Sequence, residues 1–308
     1  MALIDPRRQG REPAERRPVL VEESELDDWL HSGMCIAMGG LATACHPMLV
    51  VRHIIRRDLR DLTVVGSAVG GLDVDLLIGA GCVRKVICPY VGAEALAPIG
   101  PFFRAAAERG DVEIWECDEG QYYAGLQAAA QMMPFMPCRG GVGTSLPELN
   151  PDLKPFTDPV RGETLLAVPA IEPDLAILHA AYADRYGNVQ FVGTGYADRL
   201  LWRAATKTLV QVERVIANED VRRSPERTAL LADGIIRAPF GAHPFSSPGF
   251  YLEDQEHMTL LVAAGRAARS GDREVIAAYL ERYVRRPATH VDYLEEIGLR
   301  RLLALQEY

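Results

Sequence analysis

Short apolar runs alternate with helical segments through the first 130 residues, and this alternation limits the folds open to the chain. Residues 34–38 read as a strand. Pro47 then opens an amphipathic helix that runs to residue 57, since helices accept proline in their first turn. A strand at 62–65, a short helix at 73–78 stopped by Gly79, and a strand at 83–88 follow. Next come a helix at 101–109 ended by Gly110, a strand at 112–115 and an alanine-rich helix at 122–131. Repeated βα units with short apolar strands predict a parallel sheet with both faces covered.

Residues 134–169 differ in character. Pro134, Pro137, Pro147, Pro151, Pro155, Pro159 and Pro169 interrupt any long element, and Gly140, Gly141 and Gly143 add turns. This stretch reads as an excursion across a surface or over a pocket. Strand signals return at 165–168, 174–179, 189–192 and 209–212, with a helix at 197–205. A second Pro/Gly-rich loop spans 239–248, and three helical stretches close the chain near 258–269, 274–284 and 291–305. The expected architecture is α/β: an open, mostly parallel sheet with helices on both faces, and C-terminal helices. Residues 1–28 are expected to form a flexible arm and 29–308 one domain.

Of 308 residues, 48% are hydrophobic, ample for a core. A net charge of −9 with no basic block argues against nucleic-acid binding. No apolar run approaches the ~20 residues of a membrane helix, and no signal-peptide core precedes the domain. A cytoplasmic protein is expected. The six cysteines are scattered without a CxxC pair and read as mostly reduced core residues, not a metal site.

Several positions carry chemical content. Asp118-Glu119-Gly120 lies between a strand and a helix, which places Glu119 where open α/β sheets bind ligands. A carboxylate there is a nucleophile, a base or simply part of a helix cap. Gly39-Gly40 directly follows the first strand, as a tight turn or as backbone N–H groups for an oxyanion. Gly70-Gly71 repeats the pattern after the second strand. Neither pair has the spacing of a dinucleotide fingerprint, and the loop around Gly141 lacks the lysine of a P-loop. That loop is either a contact for pantetheine or phosphate, or a lid. His243, in a Pro/Gly-rich loop, serves a site or a structural hydrogen bond, and His179 reads as a satisfied buried histidine. No GxSxG elbow is present.

Residues 33–40 (GMCIAMGG), His46-Pro47 and residues 61–65 (DLTVV) resemble the α subunit of family I CoA-transferases, in particular the glutaconate CoA-transferase type. Gly70-Gly71 with residues 75–79, residues 134–137, 238–244 and 293–298 extend the resemblance over roughly residues 30 to 305. It implies an open α/β fold, a coenzyme A thioester as substrate with no permanently bound cofactor, and a β subunit of related fold, usually in an α2β2 assembly. It also implies a glutamate nucleophile on the partner, with Gly39-Gly40 shaping the oxyanion environment. His46, Gly70, Gly71, Gly141 and His243 are the candidate substrate contacts.

Glu119 departs from the glutaconate type, which looks to have glutamine there. It resembles a second branch, the α subunit of the steroid-ring CoA hydrolase, whose matching glutamate is the base for ring opening. Cys45-His46 stands where that branch has a basic pair, which argues against a polyanionic ring substrate. Three readings follow. The chain is part of a CoA-transferase, or part of a CoA-thioester C–C hydrolase with Glu119 as a base raised by burial, or a non-catalytic subunit that covers a partner's site.

Overall fold

The computed structural model describes residues 17–306. The first half holds β1 (Cys35–Met38), α1 (Met48–Arg56), β2 (Leu62–Val65), α2 (Leu72–Gly79), β3 (Val83–Ile87), α3 (Pro101–Arg109), β4 (Glu113–Ile114) and α4 (Glu119–Ala130). The excursion holds β5 (Phe135–Cys138), α5 (Leu146–Leu149), β6 (Lys154–Thr157) and β7 (Thr164–Pro169). The sheet resumes with β8 (Leu175–Asp184), β9 (Asn188–Gln190), α6 (Asp198–Ala204), β10 (Lys207–Ile216), α7 (Asn218–Arg223), β11 (Thr228–Leu231) and β12 (Gly234–Arg237). Then follow α8 (Gln255–Arg269), α9 (Glu274–Leu280), α10 (His290–Ile297) and α11 (Leu299–Ala304).

Seven strands run in parallel in the order β4-β3-β2-β1-β8-β10-β12. β9 pairs antiparallel with the far end of β8, and β11 with β9. The chain therefore builds outward from β1 in one direction and from β8 in the other. The topological switch point lies between β1 and β8. Crevices beyond the carboxyl ends of strands at such points are where open α/β sheets hold ligands.

Each face has its own apolar core. One joins Ile36, Val64 and Ile177 to Leu49, Ile54, Leu76 and Leu261 of the helices α1, α2 and α8. The other joins Ala37, Val65 and Leu178 to Tyr122, Leu126 and Leu201 of α4 and α6. The local signals explain the element ends. Pro101 starts α3, and Gly110, in the left-handed region at φ 72°, ends it.

Three expectations change. Residues 19–28, assigned to a flexible arm, are docked: the Val21 N–H donates to the Ile235 carbonyl, and Leu26 is fully buried. Residues 1–16 of that arm lie outside the described residues. The excursion is a three-stranded antiparallel sheet in the order β5-β7-β6, with Leu166 and Val168 buried beneath it. Its outer strands carry Pro137 and Pro155, since proline is tolerated on edge strands. The final helical stretch breaks at Gly298, which has φ 91°. Among the described residues, no helix is long and apolar enough to cross a membrane.

Candidate active site

Gly39 and Gly40 leave β1 at the switch point. A Cβ on Gly39 would lie 2.8 Å from both Asp198 Oδ1 and Leu178 Cδ2, so only glycine fits. Gly40 has φ +96°, which glycine adopts without strain. Both N–H groups are used within the chain. Gly39 donates to the Ile177 carbonyl at 2.9 Å, and Gly40 donates to Asp198 Oδ1 at 3.2 Å. The expected oxyanion donors are therefore taken in this state of the chain.

Glu119 is the first residue of α4. Asp118 caps the helix, accepting from the Gln121 N–H at 3.1 Å, while the Gln121 side chain accepts from the Asp118 N–H at 2.8 Å. The helix-cap reading thus applies to Asp118 and leaves Glu119 exposed, with no ion-pair or hydrogen-bond partner among the described residues. The burial expected of a raised base is not supplied by this chain. Gln121 also donates to the Gly140 carbonyl at 2.8 Å, which brings the exposed loop containing Gly141 beside the start of α4.

Tyr122 is fully buried one turn into α4. Its hydroxyl donates to the Gly66 carbonyl, at the carboxyl end of β2, over 2.7 Å. Gly70 continues that edge, its N–H donating to the Tyr90 carbonyl at 2.9 Å. Gly71 leaves room for the His46 ring: a Cβ there would lie 2.7 Å from it.

His46 itself is enclosed. Its Nδ1 lies 3.0 Å from Asp73 Oδ2, its Nε2 lies 3.1 Å from the Ala42 carbonyl, and the ring packs on Phe245. His243 is equally enclosed, between Tyr293 (2.6 Å) and Asp254 (3.1 Å). Burial lowers its affinity for a proton. Both histidines are buried and hold together the segments that pack around them. His179 is buried against Ser247 and Gln211.

Asp198, which sequence reasoning missed, is the buried polar centre of the edge. Burial pushes its carboxyl up to about 8, against the pull of the Gly40 hydrogen bond. The thiols nearby are also held protonated: burial raises Cys88 to about 12 and Cys45 further. All six cysteines are free. Among the described residues, no group of three or more His, Cys, Asp or Glu could hold a metal ion.

A cavity of about 590 Å³ is lined by Cys35, Lys85, Trp115, Phe135 and Ile171, under the small sheet and away from Gly39-Gly40. Phe135 lines it, whereas Tyr122 is core. A second cavity of about 410 Å³ lies along residues 191–196, the loop that leads to Asp198.

The family profile described as Coenzyme A transferase matches residues 25–230. The chain belongs to the coenzyme A transferase family. It is 36% identical to the "Cholesterol ring-cleaving hydrolase IpdA subunit" of Mycobacterium tuberculosis, over 88% of this chain and 95% of that one. It is 29% identical to a glutaconate CoA-transferase subunit of Acidaminococcus fermentans, over 94% of each. The crystal structure of glutaconate coenzyme A-transferase from that organism superposes with a TM-score of 0.87 at 28% identity, covering 94% of this chain and 96% of that one. This chain is thus an α-type subunit of an enzyme family that works on CoA thioesters, and its relatives are subunits of heteromeric enzymes.

Proposed function

We propose that this chain is the α subunit of a cytoplasmic α2β2 enzyme that moves CoA between an acyl-CoA and a carboxylic acid, with the nucleophilic glutamate on the β subunit. The observation that carries this reading is the full-length correspondence to the glutaconate CoA-transferase structure. The open carboxyl edge supports it: Glu119 and the loop around Gly141 stand uncovered at the site, as a two-chain centre requires.

The chemistry then balances without a metal or redox group. The glutamate carboxylate attacks the thioester carbonyl and expels CoA thiolate, leaving an acyl–glutamyl anhydride. The thiolate attacks the glutamyl carbonyl, releases the first acid and leaves a glutamyl-CoA thioester. The acceptor carboxylate repeats the sequence in reverse. The α subunit forms one wall, built on Gly39-Gly40, Tyr122 and the start of α4.

A second reading is favoured by one observation, the unpaired Glu119 on a chain 36% identical to part of a ring-cleaving hydrolase. There Glu119, desolvated by the partner, takes a proton from water that attacks the substrate. The separating experiment incubates the co-expressed complex with acyl-CoA, adds borohydride, and maps modified glutamate by peptide mass spectrometry. Reduced glutamate on the partner supports transfer. Consumption of acyl-CoA with no modified residue moves the assignment to Glu119.

A further inference from the structure

Asp198 is a fully buried carboxyl group that meets no cation among the described residues. Oδ1 accepts the Gly40 N–H at 3.2 Å, across 158 positions of sequence. Oδ2 is sealed from solvent and has no hydrogen-bond partner among the described residues. Carboxylates in such places are costly unless paired, and a neutral acid is the cheaper form. The groups facing it from the neighbouring elements are Tyr122 of α4, Cys45 of the loop after β1, and Tyr196 of its own approach loop. Each is neutral at pH 7, since burial raises all three proton affinities.

The surroundings also show what Asp198 holds. Gly39 and Gly40 sit against it with no room for a side chain, while Ala42 and Cys45, in the loop that follows, both adopt positive φ. Tyr122 ties the same region to the helix that begins at Glu119. One buried acid therefore touches the turn at the switch point and the packing of the helix that presents the exposed carboxylate.

We infer that Asp198 is a positioning residue of the reaction centre, an uncharged carboxylic acid that holds the Gly39-Gly40 turn at the carboxyl edge of the sheet. This rests on the reaction centre lying at that edge, as proposed above. Ionising Asp198 would place a buried negative charge beside the turn that forms one wall of the reaction centre, and turnover would fall.

The test uses Asp198→Asn and Asp198→Ala, in the isolated chain and in the co-expressed complex. Asparagine keeps a carbonyl oxygen for Gly40 and cannot ionise. Amide exchange at Gly40 should stay slow in wild type and in Asp198→Asn, and speed up in Asp198→Ala. Relative to Asp198→Asn, wild type should lose stability as pH rises from about 4 to about 8, because the folded chain keeps a proton on Asp198 that the unfolded chain has lost. In the complex, kcat should fall above about pH 8 in wild type but not in Asp198→Asn, and Asp198→Ala should lower kcat about tenfold or more with KM little changed. Unchanged Gly40 exchange in Asp198→Ala, or identical pH profiles for wild type and Asp198→Asn, would overturn the inference. A complex that turns over no acyl-CoA would count against the proposed reaction alone, since exchange and unfolding still read Asp198.

Discussion

The Tyr122 hydroxyl donates to the Gly66 carbonyl over 2.7 Å, fastening the helix that begins at Glu119 to the carboxyl end of β2. Both groups are buried, so no water replaces the bond if it is lost. Tyr122→Phe should therefore cost about 1–3 kcal/mol, the penalty for a stranded buried acceptor. Urea unfolding of the isolated chain measures it. A loss of a few tenths or less would mean that the helix is held by apolar packing alone.

Gly39→Ala brings a methyl group to within 2.8 Å of Asp198 Oδ1 and Leu178 Cδ2. Neither neighbour is the free end of a surface side chain. The expected destabilisation is about 1–3 kcal/mol, in the range of overpacked cores, with activity of the complex reduced further than stability. Thermal unfolding and kcat of the same preparation check both. Wild-type values for the two would show that the turn can yield.

Much of the scaffold is legible in the sequence because its signals are local. Pro101 and Gly110 bound α3, and the short apolar strands of the βα repeats appear at the expected places. The sequence signal for β8 reaches only His179, because the alanines and Asp184 that continue it carry no strand pattern; its burial on both sides comes from β1, β9 and β10. β5 and β6 are hidden by their prolines, which an edge position excuses. At the site, Gly39-Gly40 and Glu119 are legible from their places at strand ends. Asp198 is not, since the Gly40 that explains it lies 158 residues away. His46 and His243 look like contacts because loop histidines often are; their burial depends on Asp73, Phe245, Tyr293 and Asp254, which the fold brings to them from other segments of the chain.

The C-terminal helices are locked to α1 by a buried aromatic and histidine cluster. Arg52 donates to the His243 carbonyl and stacks on Tyr293, His257 meets Tyr279, and Arg301 pairs with Asp254. Burial, followed by nearby positive groups, lowers His257 and His290 each to about 3. Burial pushes the Asp254 carboxyl up, but Arg301 and His243 outweigh it, and its net shift is downward. All three shifts have the same sign: the unfolded chain takes up protons that the folded chain refuses. The cluster's contribution to stability should be intact above about pH 6.5 and decline as pH falls toward about 3. His257→Gln should flatten part of that decline. Chemical unfolding of wild type and His257→Gln at a series of pH values reads the difference in slope, and identical profiles would show that the cluster admits protons without opening.

Glu119→Gln removes an exposed charge at the start of α4 and should leave the fold unchanged. Under CoA transfer through a partner glutamate, kcat of the complex should stay within about threefold of wild type. Steady-state turnover decides this, and a collapse of kcat with normal assembly would assign the base to Glu119.

Oxygen bookkeeping reaches the central claim most directly. In the transfer cycle, each released carboxylate takes an oxygen from the enzyme glutamate, which had received it from the acceptor acid. Water contributes none. The co-expressed complex would be run in ¹⁸O-water with acyl-CoA and acceptor acid, and the released acid analysed by mass spectrometry. The account predicts no solvent oxygen in that acid, and acceptor-derived oxygen when the acceptor carries the label instead. Solvent ¹⁸O in the released product would contradict CoA transfer and make the complex a hydrolase.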